Sequence, residues 1–166
     1  MKKKIIQALL LLLLIADMAF IFFNSAQVAA VSAGASQSVT EMVAPVIVPH
    51  YKEMDDAMKQ QAVASLEGVL REAAHLLQFV PMGFALYLLL HTVSLLEKIG
   101  RMRIPLTICF GFLYAISDEI HQLFVPGRSF QLFDIFMDTS GVTIGCVAGI
   151  ILYFLVNRIT KKTKTS

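Results

Sequence analysis

The sequence predicts an all-α integral membrane bundle of four transmembrane helices, and three observations carry that prediction. Of its 166 residues, 57% are hydrophobic and only 16% are charged, well away from the soluble-globular norm. The apolar residues stand in long blocks, four of which approach the roughly 20 residues needed to cross a bilayer. Lys and Arg gather in three clusters that four crossings bring to one side. The whole chain, 1–166, reads as a single membrane domain.

The first span is expected at 5–23. Lys2, Lys3 and Lys4 precede it, and an Ala-rich stretch follows near Val28 to Ala35, so a cleaved signal peptide is the alternative. The apolar run is longer than the roughly 7–15 residues of a signal-peptide core, so retention is the expectation. Asp17 sits alone in its outer half and either snorkels outward or joins a polar cluster.

Residues 24–72 are expected as an extracytoplasmic loop. Ser25 to Thr40 shows no clear period, and Pro45 and Pro49 bracket an extended or turn stretch. From about Met54 the pattern turns helical, with Met58, Ala62, Leu66, Val69, Leu70 and Ala73 at three- and four-residue intervals. An amphipathic helix leading into the second span fits, packing either on the membrane surface or on a partner.

The second span is expected at 73–96, with Pro81 inside it, freeing a carbonyl near Leu77 and kinking the helix. A short basic loop follows, then the third span at 105–124. Pro126-Gly127 marks a tight turn, Pro at its first central position and Gly at its second. The fourth span is expected at 133–156, where Gly141, Gly145 and Gly149 share one face and form a close-packing seam. Cys109 and Cys146 read as small buried apolar side chains. His91 reads as a helix-packing histidine.

Orientation follows from charge. Lys2 to Lys4, then Lys98, Arg101 and Arg103, then Arg158, Lys161, Lys162 and Lys164 fall on one side, which the positive-inside rule makes cytoplasmic, with both termini. The other side holds most of the acidic residues. No basic face interleaves with aromatics, so nucleic acid is not expected as a partner; the bilayer is.

Three helices then deliver polar side chains to one level under the outer surface. Arg71 and His75 lie four apart on the second span, Asp118 and Gln122 four apart on the third, and Asp134 and Asp138 four apart on the fourth. Glu119 neighbours Gln122, and Arg128 lies on the turn. Ionisable groups in a span are functional by default, although a closed salt-bridge network that fixes packing is the plain alternative. The arginines suit a phosphate or carboxylate. His75, Asp118 and Glu119 are the candidate catalytic acids and bases, and Arg71, Gln122, Arg128, Asp134 and Asp138 the candidate ligand-binding residues. His121 points about 60° of helix rotation away from Asp118 and either shares the cleft or misses it. No tight ligand spacing is present and the arginines oppose more positive charge, so neither a metal nor a cofactor is expected.

Ser117-Asp118-Glu119, then Gln122, Phe124, Pro126-Gly127-Arg128, Asp134, Asp138, Gly141 and Gly145 resemble the VanZ-like family of bacterial membrane proteins. Arg71 and His75 match the family's Arg-Lys-x-x-His motif, while Glu72 replaces its Lys and Gln78-Phe79 replaces its acidic-aromatic pair. Asp138 stands where Asn is frequent. Phe22 to Gln27 resembles the family's Phe-Ser-Ser-Gln stretch at the end of the first span, which favours retention of that span. The resemblance implies a cell-envelope role, lower susceptibility to teicoplanin-type glycopeptides, and no reaction. The expected site binds an anionic envelope component, a lipid head group or a peptidoglycan precursor. The alternatives are a membrane hydrolase or transferase acting on a phosphate-bearing lipid and, more weakly, proton-coupled transport.

Overall fold

The computed structural model describes residues 2–93 and 100–164, with the side chains of residue 2 and residues 162–164 excepted. The described residues form five α-helices and no strand: α1 (Lys2–Ser25), α2 (Ala29–Ile47), α3 (Asp56–Thr92), α4 (Arg103–Gln122) and α5 (Leu132–Lys164), with 3-10 turns at Tyr51–Glu53 between α2 and α3 and at 100–102 just before α4. Three are long and apolar enough to cross a membrane: Lys3–Ser25, Asp56–Thr92 and Leu132–Lys161. The expected third span, α4, is not among them, because Asp118, Glu119 and His121 crowd its last turns with polarity. Outward-facing Leu9, Leu12, Phe20 and Phe23 on α1 and Phe136 and Phe154 on α5 are exposed, an apolar surface that suits lipid.

The expected loop at 24–72 is mostly helix. Ser32, Ser36, Thr40 and Ala44 recur at three- to four-residue intervals and turn inward along α2. These small residues let α2 lie against α3, a stripe that a search for apolar periodicity does not detect. Pro45 sits inside the last turns of α2, where one missing donor costs little of a helix that ends at Ile47. Val48 is extended and His50 is left-handed, which reverses the chain. Asp55 caps α3 by accepting from the Met58 N–H at 2.7 Å.

α3 is one helix of 37 residues, passing through Pro81 without a break. At about 1.5 Å per residue it measures about 55 Å, well over the roughly 30 Å hydrocarbon layer. It is the hub, packing against the other four helices and most extensively against α5. The expected amphipathic helix and second span are therefore its two halves; the expected end of that span at Leu96, and Lys98 in the basic loop, lie outside the described residues. The core joins Leu14 and Ile21 of α1 to Phe79, Met82 and Leu86 of α3, Ala115 of α4, and Ile135 and Val142 of α5. Asp17 neither snorkels nor joins the outer cluster: its carboxyl faces the backbone of Met82, next after Pro81, and its Oδ2 is buried without a partner among the described residues.

The glycine seam forms as expected. A Cβ on Gly141 would meet the Leu76 carbonyl, and one on Gly145 the Val80 carbonyl; from the other side, one on Gly83 would meet the Val142 carbonyl. The backbones of α3 and α5 thus touch along several turns, the geometry that small residues allow. Most other polar groups inside the bundle are satisfied locally. Thr107 and Thr139 donate to carbonyls four residues back. Cys146 is buried but Cys109 is exposed on the outside of α4, and neither forms a disulfide.

Two ends are distinguishable. At one, Gln7 of α1 donates to the Thr92 carbonyl at 2.6 Å, Arg103 of α4 donates to Leu90 of α3, and His91 stacks 4.0 Å from Tyr153 of α5. His91 also pairs with the Tyr87 hydroxyl at 2.9 Å, a packing role. The described basic residues Lys3, Lys4, Arg101, Arg103, Arg158 and Lys161 belong to this end. The other end carries the acidic cluster.

Candidate functional site

α3, α4 and α5 each bring one polar face to the second end of the bundle. His75 on α3 is the centre. Its Nδ1 lies 3.5 Å from Asp138 Oδ1 and its Nε2 3.9 Å from Asp134 Oδ2, both on α5. Each ring nitrogen thus has a carboxylate beside it, at ion-pair rather than hydrogen-bond distance. Asp134, Asp138, Asp118, Glu119 and Gln122 are all buried. The spacing argument thus brings these six residues together, as their four-residue intervals on three facing helices require.

The structure gives them different partners. Asp118 Oδ2 accepts from the Ser25 hydroxyl at 2.7 Å and from Gln122 Nε2 at 3.1 Å. Glu119 Oε2 accepts from the Gln131 N–H at 2.6 Å, immediately before α5 begins, so it anchors the start of α5, where negative charge is favoured. One oxygen of Glu119, one of Asp134 and both of Asp138 are buried with no hydrogen-bond partner among the described residues. Among those residues no three His, Cys, Asp or Glu side chains form a metal-binding group. His121 misses the cleft: its ring stacks on Phe22 of α1, centroids 4.5 Å apart and planes 17° from parallel.

Arg71 and Arg128 stand apart from the buried cluster, at the mouth of a cavity of about 300 Å³ above it. Arg71 is half exposed and pairs with Glu72 at 3.2 Å. Arg128 is held by a turn of the expected kind: its N–H donates to the Val125 carbonyl at 3.1 Å across Pro126-Gly127, with Gly127 at φ 80°. Arg128 Nε reaches the Gln27 carbonyl at 3.4 Å, and the Ala29 N–H donates to the Pro126 carbonyl at 3.3 Å. The α4–α5 turn is therefore docked on the α1–α2 junction, and α2 supplies a wall of the cavity. His75, Gln122 and Ser25 form its floor.

Ser25 and the α2 wall are site residues that the spacing argument missed. Ser25 is the last residue of an apolar helix, and its one signal was the similarity of Phe22 to Gln27 to a family stretch. Ser25→Ala is expected to lower stability by about 1.5 kcal/mol, the low end for a hydrogen bond to a charged group, because Gln122 still serves Asp118. The measurement is the unfolding midpoint in mixed micelles. An unchanged midpoint would show that the Ser25–Asp118 bond contributes nothing.

A buried histidine between two aspartates and a cavity with arginines at its mouth are compatible with binding an anion or with moving a proton. No curated protein and no solved structure matches the chain. Residues 9–157 do match the VanZ/LLP1 family, and that match takes in most of α1, all of α2 to α4, most of α5 and every residue of the cavity. The chain belongs to the VanZ/LLP1 family.

Proposed function

We propose that this protein crosses the bacterial cell membrane four times and binds an anionic envelope component in its polar cavity, with both termini cytoplasmic. The cavity at the acidic end is then extracytoplasmic. Support for the fourth crossing is that α4 packs against both α3 and α5 and that its 20 residues measure about 30 Å, one bilayer thickness. Support for the orientation is the gathering of described Lys and Arg residues at the opposite end. In this arrangement α2 and the first turns of α3 stand beyond the hydrocarbon layer as a helical hairpin beside the cavity mouth.

The observation that carries the binding reading is the pairing of Arg71 and Arg128 at the mouth with a buried polar floor of His75, Gln122 and Ser25. Guanidinium groups fork onto phosphate or carboxylate oxygens. The ligand is a lipid head group or a peptidoglycan precursor. Holding it at the outer surface would reduce the access of glycopeptides of the teicoplanin type to their target, the role that the family resemblance implies.

A second reading, a membrane hydrolase or transferase for phosphate-bearing lipids, is favoured by one observation. Two acid–base pairs, the hydrogen-bonded Ser25 with Asp118 and the ion-paired His75 with Asp138, meet the same cavity. Such pairs can hold and move protons.

The test expresses the wild type and the Arg71→Gln/Arg128→Gln variant at matched membrane levels. Teicoplanin susceptibility and extracted lipids and precursors are followed together. The binding reading expects the double variant to lose the susceptibility shift while lipid and precursor composition stays constant in both strains. A change in composition that depends on Ser25 and His75 selects the enzyme. A double variant indistinguishable from wild type in both respects removes both readings.

A further inference from the structure

The cavity is lined by more neutral hydrogen-bonding groups than charged ones. Gln122, Ser25 and His75 on its floor are 2%, 4% and 9% exposed. Asn24 and Gln78 add two carboxamides, and Ser32 and Ser36, one turn apart on α2, add two hydroxyls.

The two serines depart from the pattern of most described helical Ser and Thr residues. Ser38, Thr40, Ser65, Thr107, Thr139, Ser140 and Thr143 all donate to a carbonyl of their own helix, four residues back. The Ser32 and Ser36 hydroxyls make no such bond, and neither they nor the Asn24 side chain has a hydrogen-bond partner among the described residues. Hydroxyls and an amide left open toward a cavity suit a ligand with hydroxyl groups of its own.

Charge and size narrow the ligand. Glu72 lies 3.2 Å from Arg71 and takes up part of its charge, so the mouth matches one negative charge better than two. The cavity holds about 300 Å³. At about 30 Å³ per water that is room for about ten water-sized groups, the size of a phosphate joined to a three-carbon polyol. The linked sugars and peptide of a peptidoglycan precursor are several times larger. Val39 and Leu70 add apolar lining beside the polar groups.

Resting on the anion-binding reading, we infer that the ligand is a lipid phosphodiester whose second alcohol is a small polyol. Its phosphate lies between Arg71 and Arg128, and its hydroxyls meet Ser32, Ser36 and Asn24.

The full-length protein in nanodiscs provides the test, with bound lipid quantified by native mass spectrometry. The probes are phosphatidylglycerol, phosphatidic acid and phosphatidylcholine of matched chains. The wild type is expected to prefer phosphatidylglycerol. Ser32→Ala/Ser36→Ala is expected to reduce that preference by about threefold to tenfold per lost hydrogen bond, with phosphatidic acid binding unchanged. These substitutions remove no bond within the protein, so a merely structural role predicts no effect. Arg71→Gln/Arg128→Gln is expected to weaken both anionic lipids. Equal binding of the two anionic lipids by the wild type would overturn the polyol inference and leave the anion reading standing. Binding of neither would overturn both. Free glycerol phosphate displacing the lipid at equal concentration would show that the site takes a soluble phosphodiester or monoester, against the inference.

Discussion

Gly145→Ala is expected to force α3 and α5 apart and to disperse the site. The added Cβ would lie on the Val80 carbonyl oxygen and close to the Phe84 nitrogen, both backbone atoms. Main chain inside a helix has no flexible end to withdraw, so the helices themselves must move. The two carboxylates that face His75 are on α5, and His75 is on α3, so their 3.5 and 3.9 Å approaches depend on this contact. Overpacking costs typically about 1–3 kcal/mol, and a clash against backbone belongs at the upper end. The same outcome is expected for Gly141→Ala against Leu76 and Gly83→Ala against Val142. Gly68→Ala is the control: it is also helical, in α3, with nothing within 4 Å of the added carbon. It is expected to raise stability by about 0.4–1 kcal/mol through the unfolded chain. Unfolding midpoints in mixed micelles compare them. Equal midpoints for the Gly145 and Gly68 variants would show that α3 and α5 do not pack through their backbones.

His75→Leu is expected to have the second large effect. It leaves Asp134 and Asp138 buried with no cationic neighbour inside the cluster. Removing one partner of a buried pair typically costs about 3–5 kcal/mol, because the remaining charge is uncompensated. The loss is then expected to be largely recovered in His75→Leu/Asp134→Asn/Asp138→Asn, where the buried charges are gone with their partner. That recovery separates an ionic cause from a packing one. A triple variant no more stable than the single one would mean that His75 contributes volume rather than charge. Anionic lipid binding is read alongside, since the triple variant keeps Arg71 and Arg128.

The legible parts of this fold are those in which spacing fixes geometry. Pro126-Gly127 dictated a turn of one type, and the glycines at 141, 145 and 149 dictated a face. Polar residues four apart on three helices dictated a common level. Each is a local rule whose outcome does not depend on a distant partner. The less legible parts depend on such partners. α2 is helical because its small stripe finds α3, and no apolar period announces it. Asp17 is explained by a backbone group beside Pro81 on another helix. Glu119 read as a candidate catalytic acid, yet its observed bond is to the main chain at Gln131, a partner that residue type does not reveal. His121 sits only one residue from Gln122, and the stacking on Phe22 decides its direction. Cys109 read as buried because it is apolar, but in a chain of this composition apolar residues face outward as readily as inward.

The docking of the α4–α5 turn on the α1–α2 junction runs through main-chain carbonyls at Gln27 and Pro126 and the main-chain N–H of Ala29. Such bonds are indifferent to the side chains of the residues that supply the carbonyl or the N–H. The mouth of the cavity thus keeps its shape while residue 27 varies, provided Gly127 retains its left-handed conformation and residue 29 stays small enough to pack against it. The hydroxyls of Ser32 and Ser36 in the wall are in turn free of any hydrogen bond among the described residues. A frame held largely by backbone, with lining hydroxyls that hold nothing in place, is an arrangement in which ligand preference can drift between relatives without refolding the site.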